Sequence, residues 1–374
     1  MEIFWTMLAS TGVLSLIISM LFERHSIDVS NRSGYRKTVI FLMITLSVVI
    51  FFAAMRSYVS DTGAYVSFYY QIPTSMTDFG AYVASREKDP IFWALSMVFK
   101  CFISSSFHAW FFAISFVCCL GLCCTVARYS EMPFLSVFMF VLACHFTWLF
   151  NGMRQFLAVC LVFWAFRYFV ERRTLPALAI CVLASCMHAT AFISIPAYFI
   201  VQGAAGNKKV VLSMFATVVF VVGLSSILPF ADDLLAGSAY GDVISQFSQD
   251  DGVNPIRILI TAVPSVLFFA LKRRVDKEPP TYVNIAVNMS IFAMLLNIVG
   301  KFTSGIYIGR MSIYFELANL LLYPWIFKHE IAKRTKAFFI LAYLTCYFIY
   351  FYYQMVITWD GFGYVSDILG ISFR

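Results

Sequence analysis

Apolar and polar positions follow one another in long blocks along this chain. Ten apolar blocks approach or exceed the roughly 20 residues that a membrane-spanning helix needs. They are residues 3–22, 38–55, 108–127, 133–150, 156–170, 210–228, 256–271, 282–300, 311–327 and 337–353. The pattern predicts an all-α fold, a polytopic integral membrane helical bundle of about 10–12 transmembrane passes. Because no internal repeat is evident, we expect residues 1–374 to form a single membrane-embedded domain.

Two apolar stretches have an unusual length. Residues 91–104 are short and contain Lys100, which favours an interfacial or re-entrant helix. Residues 175–201 are interrupted by His188 and Pro196, and we expect two half-helices of about 13 residues each. His188 then lies at the tip of a hairpin beside a cavity, since broken helices at membrane depth persist only inside protein or along a cavity.

Composition and charge indicate the class of protein and its orientation. Hydrophobic residues make up 61% of the chain and charged residues 13%, which excludes a soluble globular protein. The positive-inside rule assigns to the cytoplasm six loops that hold 18 of the 27 Lys and Arg residues. These loops are 23–37, 128–132, 167–174, 202–209, 272–281 and 328–336. Both termini and the His188 tip then face outward, and the net charge of +7 implies no nucleic acid.

The outward turns of this topology carry arginines. Arg154 and Gln155 follow an Asn-Gly break between two apolar blocks, Arg310 lies in a short turn, and Arg56 follows the second block. A guanidinium keeps its charge when partly desolvated and offers paired donors to phosphate oxygens. The alternative for each arginine is anchoring at the membrane interface by a side chain that reaches the headgroups.

Two groups of residues suggest metal ligands at first sight. Cys118, Cys119, Cys123 and Cys124 share one apolar block without a nearby His or carboxylate, so packing between helices explains them better. The acidic loop 229–255 lacks the ligand spacing of a calcium loop, and avoidance of the inner face explains its charge better. We therefore expect no metal and no cofactor.

Several short motifs occur in an order that matches a known family. They are Arg56 with Asp61-Thr62 and Tyr65, then Asp89-Pro90, then Asn151, Arg154, Gln155 and Ala158, then His188 with Thr190-Ala191, and finally Arg310 with Tyr314. In this order, the chain resembles the EpsG/Wzy-type polysaccharide (O-antigen) polymerase family. Two departures are Ser60, where the family often has Gly, and the region after about residue 320, which matches in hydropathy alone.

The resemblance implies an enzyme with a fold similar to the C-type glycosyltransferases. Such an enzyme lies in the bacterial inner membrane with its active site facing the periplasm or cell exterior. It polymerises undecaprenyl-pyrophosphate-linked oligosaccharide repeat units into O-antigen or exopolysaccharide by glycosyl transfer. Its partners are the lipid-linked glycan and the lipid bilayer, and a chain-length regulator stays open as a further partner.

The resemblance also suggests which residues bind the substrate. A leaving pyrophosphate needs cationic donors. Arg154 and Arg310 are the first candidates for this role, and Arg56 is the third. Gln155 would hydrogen-bond sugar hydroxyls or fix Arg154, and Tyr65 would stack on a sugar ring.

Two residues compete as the catalytic base for the incoming hydroxyl. His188 suits proton transfer because an unperturbed imidazole has a pKa of about 6.5. Its alternative role is a structural hydrogen bond at the helix break. Asp61 is the competing base, and its alternative role is to cap the following helix with its side chain.

Other functions share parts of this pattern. An O-antigen ligase uses the same donor with a different acceptor, and the residues alone do not exclude it. A lipid-linked oligosaccharide flippase or secondary transporter would place its polar residues near the bilayer midplane and carry inverted repeats. Here the polar residues gather at one face, and no duplicated half is evident. A non-catalytic scaffold would leave the outward arginines unexplained.

Overall fold

The computed structural model describes residues 2–24, 31–224, 252–272, 278–359 and 363–373. Nearly all of the acidic loop and half of the basic loop 272–281 lie outside the described residues. The described chain is predominantly helical. Its helices are α1 (Glu2–Arg24), α2 (Arg32–Met55), α3 (Thr62–Gln71), α4 (Phe79–Ala84), α5 (Pro90–Phe102), α6 (Phe107–Tyr129), α7 (Pro133–Leu142), α8 (Met153–Val170), α9 (Thr174–Met187), α10 (Ser194–Ile200), α11 (Lys208–Val222), α12 (Pro255–Leu271), α13 (Thr281–Phe302), α14 (Ile313–Glu316), α15 (Asn319–His329) and α16 (Lys336–Tyr352).

Six helices among the described residues are long and apolar enough to cross a membrane. They are α1, α2, α6, α8, α13, and α16 with the turn that extends it to Thr358. The chain is therefore a multi-pass membrane protein, as predicted. Two predicted blocks differ from the expected continuous helices. Block 133–150 breaks where Cys144 adopts a φ of 62°, and block 311–327 is divided between the short α14 and α15.

The centre of the bundle is built around α6 and α8. Helix α6 packs along α2 on one side and α8 on the other, and α8 packs along α9. Cys118, Cys119 and Cys123 are buried free thiols on α6, in the interior of this stack. The apolar faces of these helices thus form the core that holds the two unusual segments in place.

Those two segments meet at the end of the bundle that carries the candidate site. Helix α9 ends at Met187, a 3-10 turn spans Ala189–Ile193, and α10 packs back against α9, so the predicted break at His188 is confirmed. Helix α5 packs against α9. Its Lys100 Nζ donates to the carbonyls of Tyr69, Tyr70 and Ile72 at 2.8, 3.0 and 2.6 Å. A charged group at the carbonyl end of α3 is favourable, and it anchors α5 beside the hairpin.

The tail forms a small sheet that the sequence pattern did not predict. Strands β1 (Tyr364–Ser366) and β2 (Ile371–Phe373) pair antiparallel, and Val365 also bridges to Tyr58. The Ser57 amide donates to the Val365 carbonyl at 2.7 Å, and the Tyr364 hydroxyl donates to the Phe52 carbonyl at 2.9 Å. The tail therefore packs on the end of α2 and on the first residues after it.

Candidate functional site

Asp89 is the centre of the candidate site. It directly precedes Pro90, the first residue of α5, and its backbone adopts a left-handed φ of 60°. Asp tolerates this conformation better than most residues. The turn directs the carboxylate inward, where the residue is only 4% exposed. A buried carboxylate requires charged or hydrogen-bonded partners.

Three donors from two other segments satisfy this carboxylate. Arg154 Nη1 donates to Asp89 Oδ2 at 2.8 Å, and His188 Nδ1 lies 3.3 Å from the same oxygen. The Ala189 amide donates to Asp89 Oδ1 at 3.1 Å. Burial alone would raise the pKa of Asp89, but the hydrogen bond and charge of His188 and the charge of Arg154 hold that pKa below its ordinary value. Asp89 is therefore ionised and joins α5, α8 and the hairpin break.

The contact with Asp89 determines what His188 can do. A neutral imidazole that donates from Nδ1 has no proton on Nε2, so Nε2 is a hydrogen-bond acceptor. The carboxylate also stabilises the imidazolium that forms when Nε2 takes up a proton. The His188 side chain is 24% exposed. The contact with Asp89 thus fixes the orientation of the His188 ring and leaves Nε2 as an acceptor.

Arg154 is placed by the Asn-Gly break before α8. Gly152 has a φ of +86°, and a Cβ atom there would lie 3.0 Å from the Trp148 ring, so a side chain at this position would be strained. Helix α8 consequently begins at Met153, with Arg154 in its first turn. The Arg154 guanidinium carbon lies 5.5 Å from the centre of the Trp93 ring and 5.9 Å from that of Tyr65. Its side chain remains 28% exposed and can reach a ligand.

Gln155 and Arg310 belong to a second group beside this one. Gln155 is buried, and its Nε2 donates to the Arg310 carbonyl at 3.1 Å and to Thr190 Oγ1 at 3.4 Å. Thr190 Oγ1 in turn lies 3.0 Å from the Tyr314 hydroxyl. The guanidinium of Arg310 lies 5.8 Å from the centre of the Trp148 ring. Gln155 therefore ties the segment that carries Arg310 to the His188 hairpin.

A buried polar network around Glu316 holds the segment that carries Arg310 and Tyr314. Glu316 Oε1 accepts hydrogen bonds from Ser312 Oγ at 2.5 Å, Asn297 Nδ2 at 3.2 Å and Arg257 Nη2 at 3.3 Å. His145 Nδ1 lies 3.9 Å from Glu316 Oε2. Ser312 and Glu316 lie on the two short helical turns that also carry Arg310 and Tyr314. The network thus fixes the position of the segment that carries Arg310.

Two of the predicted site residues, Arg56 and Asp61, lie outside the group around Asp89. The Arg56 guanidinium is fully buried, donates to the Ala53 carbonyl and, at 3.1 Å, to Thr62 Oγ1, and lies 4.0 Å from the centre of the Phe111 ring. It therefore joins α2 to α3 and, through Nη2 at 3.7 Å from Met153 Sδ, to the start of α8. Asp61 is exposed at the start of α3, and its side chain makes no capping hydrogen bond, so the structure does not show its alternative role as a helix cap. Within the described residues, no contact joins Asp61 to the Asp89 group.

Tyr65 lies beside Arg154, and its ring is buried. Its hydroxyl accepts from the Arg154 amide at 3.5 Å, and its ring packs near Trp110. Sequence reasoning gave no role to Asp89, Trp93 or Trp148. A lone Asp before Pro is usual at a helix start, and an apolar Trp gives no sign that it lies beneath a guanidinium. Asp89-Pro90 among the family motifs was the only available signal.

An apolar groove lies beside the elements that carry this site. It has a volume of about 280 Å³ and lies between α5, α6, α8 and α9. Its lining includes Phe92, Leu95, Leu161, Leu183 and Met187. Met187 directly precedes His188, and Phe92 lies one turn beyond Asp89. Two of the lining residues are therefore close in sequence to the charged group.

Comparison with known proteins gives a family match. The model of the EpsG family matches residues 39–365, which include every residue of the site and reach into the first strand of the tail. No curated protein and no solved structure gives a significant match. The match covers far more than half of the chain and confirms the resemblance carried by the motifs. The protein belongs to the EpsG family, and this membership indicates a function related to membrane polysaccharide polymerisation.

Proposed function

We propose that this protein polymerises oligosaccharide repeat units that are linked to a polyprenyl pyrophosphate such as undecaprenyl pyrophosphate. The observation that carries the proposal is the shared carboxylate of Asp89, which fixes an imidazole and a guanidinium next to each other. Glycosyl transfer from a pyrophosphate donor needs these two groups: a base for the hydroxyl and a cation for the leaving group.

The proposed reaction proceeds as a displacement at the sugar C1 of the donor. His188 Nε2 takes the proton of an acceptor hydroxyl while the hydroxyl oxygen forms a bond to C1. The bond between C1 and the pyrophosphate oxygen breaks, and its electron pair remains on the pyrophosphate. Arg154 and Arg310 stabilise the charge that develops there. The proton on His188 passes to solvent, and the lengthened glycan remains on the polyprenyl carrier of the acceptor.

The apolar groove supports a lipid-linked substrate. A polyprenyl tail is as apolar as the lipid chains, so it can occupy the space between Leu95, Leu161 and Leu183. The pyrophosphate at its end then lies beside Arg154. The distribution of Lys and Arg supports an outward-facing site in the bacterial inner membrane. Reporter fusions in loop 272–281 should be cytoplasmic, and an external reporter there would reverse the proposed orientation.

A reconstituted reaction tests the proposal directly. Purified protein is incubated with one defined undecaprenyl-pyrophosphate repeat unit and no other component. A ladder of products is expected, whereas a ligase or a flippase would give none. Arg128→Gln is a suitable control because Arg128 forms an exposed ion pair with Glu171, away from the site. Failure to produce a ladder with folded protein and intact substrate would refute the proposed polymerase activity.

A further inference from the structure

Trp93 carries a second guanidinium besides that of Arg154. The Arg86 guanidinium carbon lies 5.3 Å from the centre of the Trp93 ring and 4.5 Å from that of Tyr82. The corresponding distance from Arg154 to Trp93 is 5.5 Å. Two cations at these distances from one ring centre are no more than about 11 Å apart. Neighbouring like charges repel each other, and an anion that contacts both offsets that repulsion.

Arg86 has no anionic partner in the described part of the chain. Arg154 is paired with Asp89, but no carboxylate lies within ion-pair distance of Arg86 among the residues that the structure describes. Arg86 is also not at a freely exposed position: its side chain is partly buried against two aromatic rings. A partly exposed cation without a counter-charge can bind an anionic ligand, unlike the fully enclosed Arg56.

Both arginines at Trp93 also have a buried donor with no acceptor. Arg86 Nε and Arg154 Nε are enclosed, and neither makes a hydrogen bond. Leaving such a donor unsatisfied costs about 1–3 kcal/mol, so buried donors normally have a partner. An anionic oxygen is an acceptor of the kind that both donors lack. A neutral hydroxyl could accept a hydrogen bond from Arg86 but would not balance its charge.

The backbone holds Arg86 and Asp89 in one short turn. Ser85 and Arg86 amides donate to the carbonyls of Ala81 and Val83, which ends α4 as a tight turn. Asp89 then reverses the chain into α5 through its left-handed backbone. The segment that supplies the central carboxylate therefore also supplies the second cation.

We propose that Arg86 is a further substrate-binding residue that holds the pyrophosphate of the lipid-linked donor together with Arg154. This inference rests on the proposed function. Each phosphate of a pyrophosphate diester carries a negative charge, and Asp89 already neutralises one of the site's arginines. Arg86 and Arg310 are then the two cations that balance the ligand. The forked donors of Arg86 suit a phosphate oxygen better than an ammonium would.

Arginine modification in the unaltered protein tests this assignment without a mutant that fails to fold. Purified protein is treated with phenylglyoxal, and modification of Arg86 is measured by peptide mass spectrometry. Undecaprenyl pyrophosphate should protect Arg86 and Arg154 several-fold. Undecaprenol, which has the same tail without phosphate, should not. Equal modification of Arg86 with and without saturating undecaprenyl pyrophosphate would overturn the assignment.

Substitutions give a second and quantitative measure. Arg86→Gln should weaken binding of undecaprenyl pyrophosphate about tenfold or more, and Arg86→Lys should weaken it less, because Lys keeps the charge and loses the fork. Arg128→Gln removes the same charge far from the site and should leave the Kd unchanged. Normal affinity in Arg86→Gln would overturn the inference.

The two proposals fail in different ways. Ladder formation by a protein whose Arg86 is neither protected nor needed for binding would overturn the role of Arg86 and leave the polymerase intact. Protection of Arg86 in a protein that makes no ladder would refute the polymerase and retain the pyrophosphate site. If both proposals hold, undecaprenyl pyrophosphate protects Arg86 from modification, Arg86→Gln binds it more weakly, and the unaltered protein makes a ladder.

Discussion

Asp89→Asn is the substitution that discriminates most sharply whether the shared carboxylate organises the site. The amide is nearly the same size as the carboxylate, so packing is preserved. Its oxygen can still accept the Ala189 amide. Its NH₂ group, however, faces donors from Arg154 and His188 in place of an acceptor. The change therefore removes the charge and one acceptor without creating a cavity.

The expected size of the effect follows from these contacts. A hydrogen bond to a charged group contributes about 1.5–3 kcal/mol to stability. Because the Arg154 side chain is 28% exposed and can be partly rehydrated, we expect a loss of about 1–3 kcal/mol in the free energy of unfolding. His188 and Arg154 lose their common anchor, and a displacement of about 1 Å in a catalytic group costs roughly 100-fold in rate. Polymerisation should therefore fall by roughly 100-fold.

The assay is the rate of ladder formation by purified protein, with unfolding followed separately by denaturant titration in detergent. Asp78→Asn is a matched control, because Asp78 is exposed in the same segment between α2 and α5 and its side chain caps no helix. It should change neither quantity. An Asp89→Asn protein that polymerises within about threefold of the normal rate, at equal stability, would refute the reasoning that the carboxylate holds the base and the cation.

The dependence of stability on pH gives an independent check of the same carboxylate. The pKa of Asp89 in the folded protein is held below its ordinary value of about 3.9. Its contribution is therefore fully present above the ordinary value and is lost as pH falls through the lowered one. The stability difference between the unaltered protein and Asp89→Asn should not narrow above about pH 5 and should narrow below about pH 4, where the carboxylate takes up a proton. If the stability difference between the two proteins narrowed near pH 6, a group other than Asp89 would be responsible for it.

Three further predictions concern the neighbouring residues. Arg154→Lys should fail nearly as badly as Arg154→Ala in ladder formation, because ammonium keeps the charge and loses the fork; near-normal polymer length in the Lys protein, at equal abundance, would reduce Arg154 to an interfacial anchor. His188→Gln should abolish polymerisation while donor binding, measured by Kd, persists, and Asp61→Asn should remain active; the opposite pattern would make Asp61 the base. Glu316→Ala leaves the partly buried Arg257 charge unpaired and should reduce the free energy of unfolding by about 3–5 kcal/mol; an unchanged denaturation midpoint would contradict the positioning role of the network.

The sequence predicts the coarse fold well because hydropathy over 20 residues is a strong signal. Six blocks are indeed long apolar helices, and the break at His188 follows from length alone. Averaged hydropathy does not show where the helix breaks inside a buried apolar block. For this reason, the pattern predicts continuous helices at Cys144 and beside Glu316, where the structure has breaks. Strands of three residues, such as those of the tail, are too short to leave a periodic pattern.

The candidate site was predicted in part, for a physical reason that differs from residue to residue. Arg154 and His188 stood out because a charge or imidazole is conspicuous at a break between apolar blocks. Arg56 stood out equally, yet it is enclosed by Phe111 and Thr62, contacts that no local pattern indicates. The roles of Asp89 and Arg86 depend on partners 65 residues or more away or on a shared ring, and only the tertiary structure provides these.

The pairing of the tail with the end of α2 has a consequence for biosynthesis. Tyr364 bonds to Phe52 across 312 positions of sequence. At synthesis rates of about 5–20 residues per second, the ribosome reaches Tyr364 roughly 15 to 60 s after Phe52. The backbone groups of Ser57 and Tyr58 therefore lack these partners until residues 364–366 have been made. Arg56 and Thr62 adjoin that segment, so the structure around them forms in two stages that are separated by the synthesis of the intervening chain.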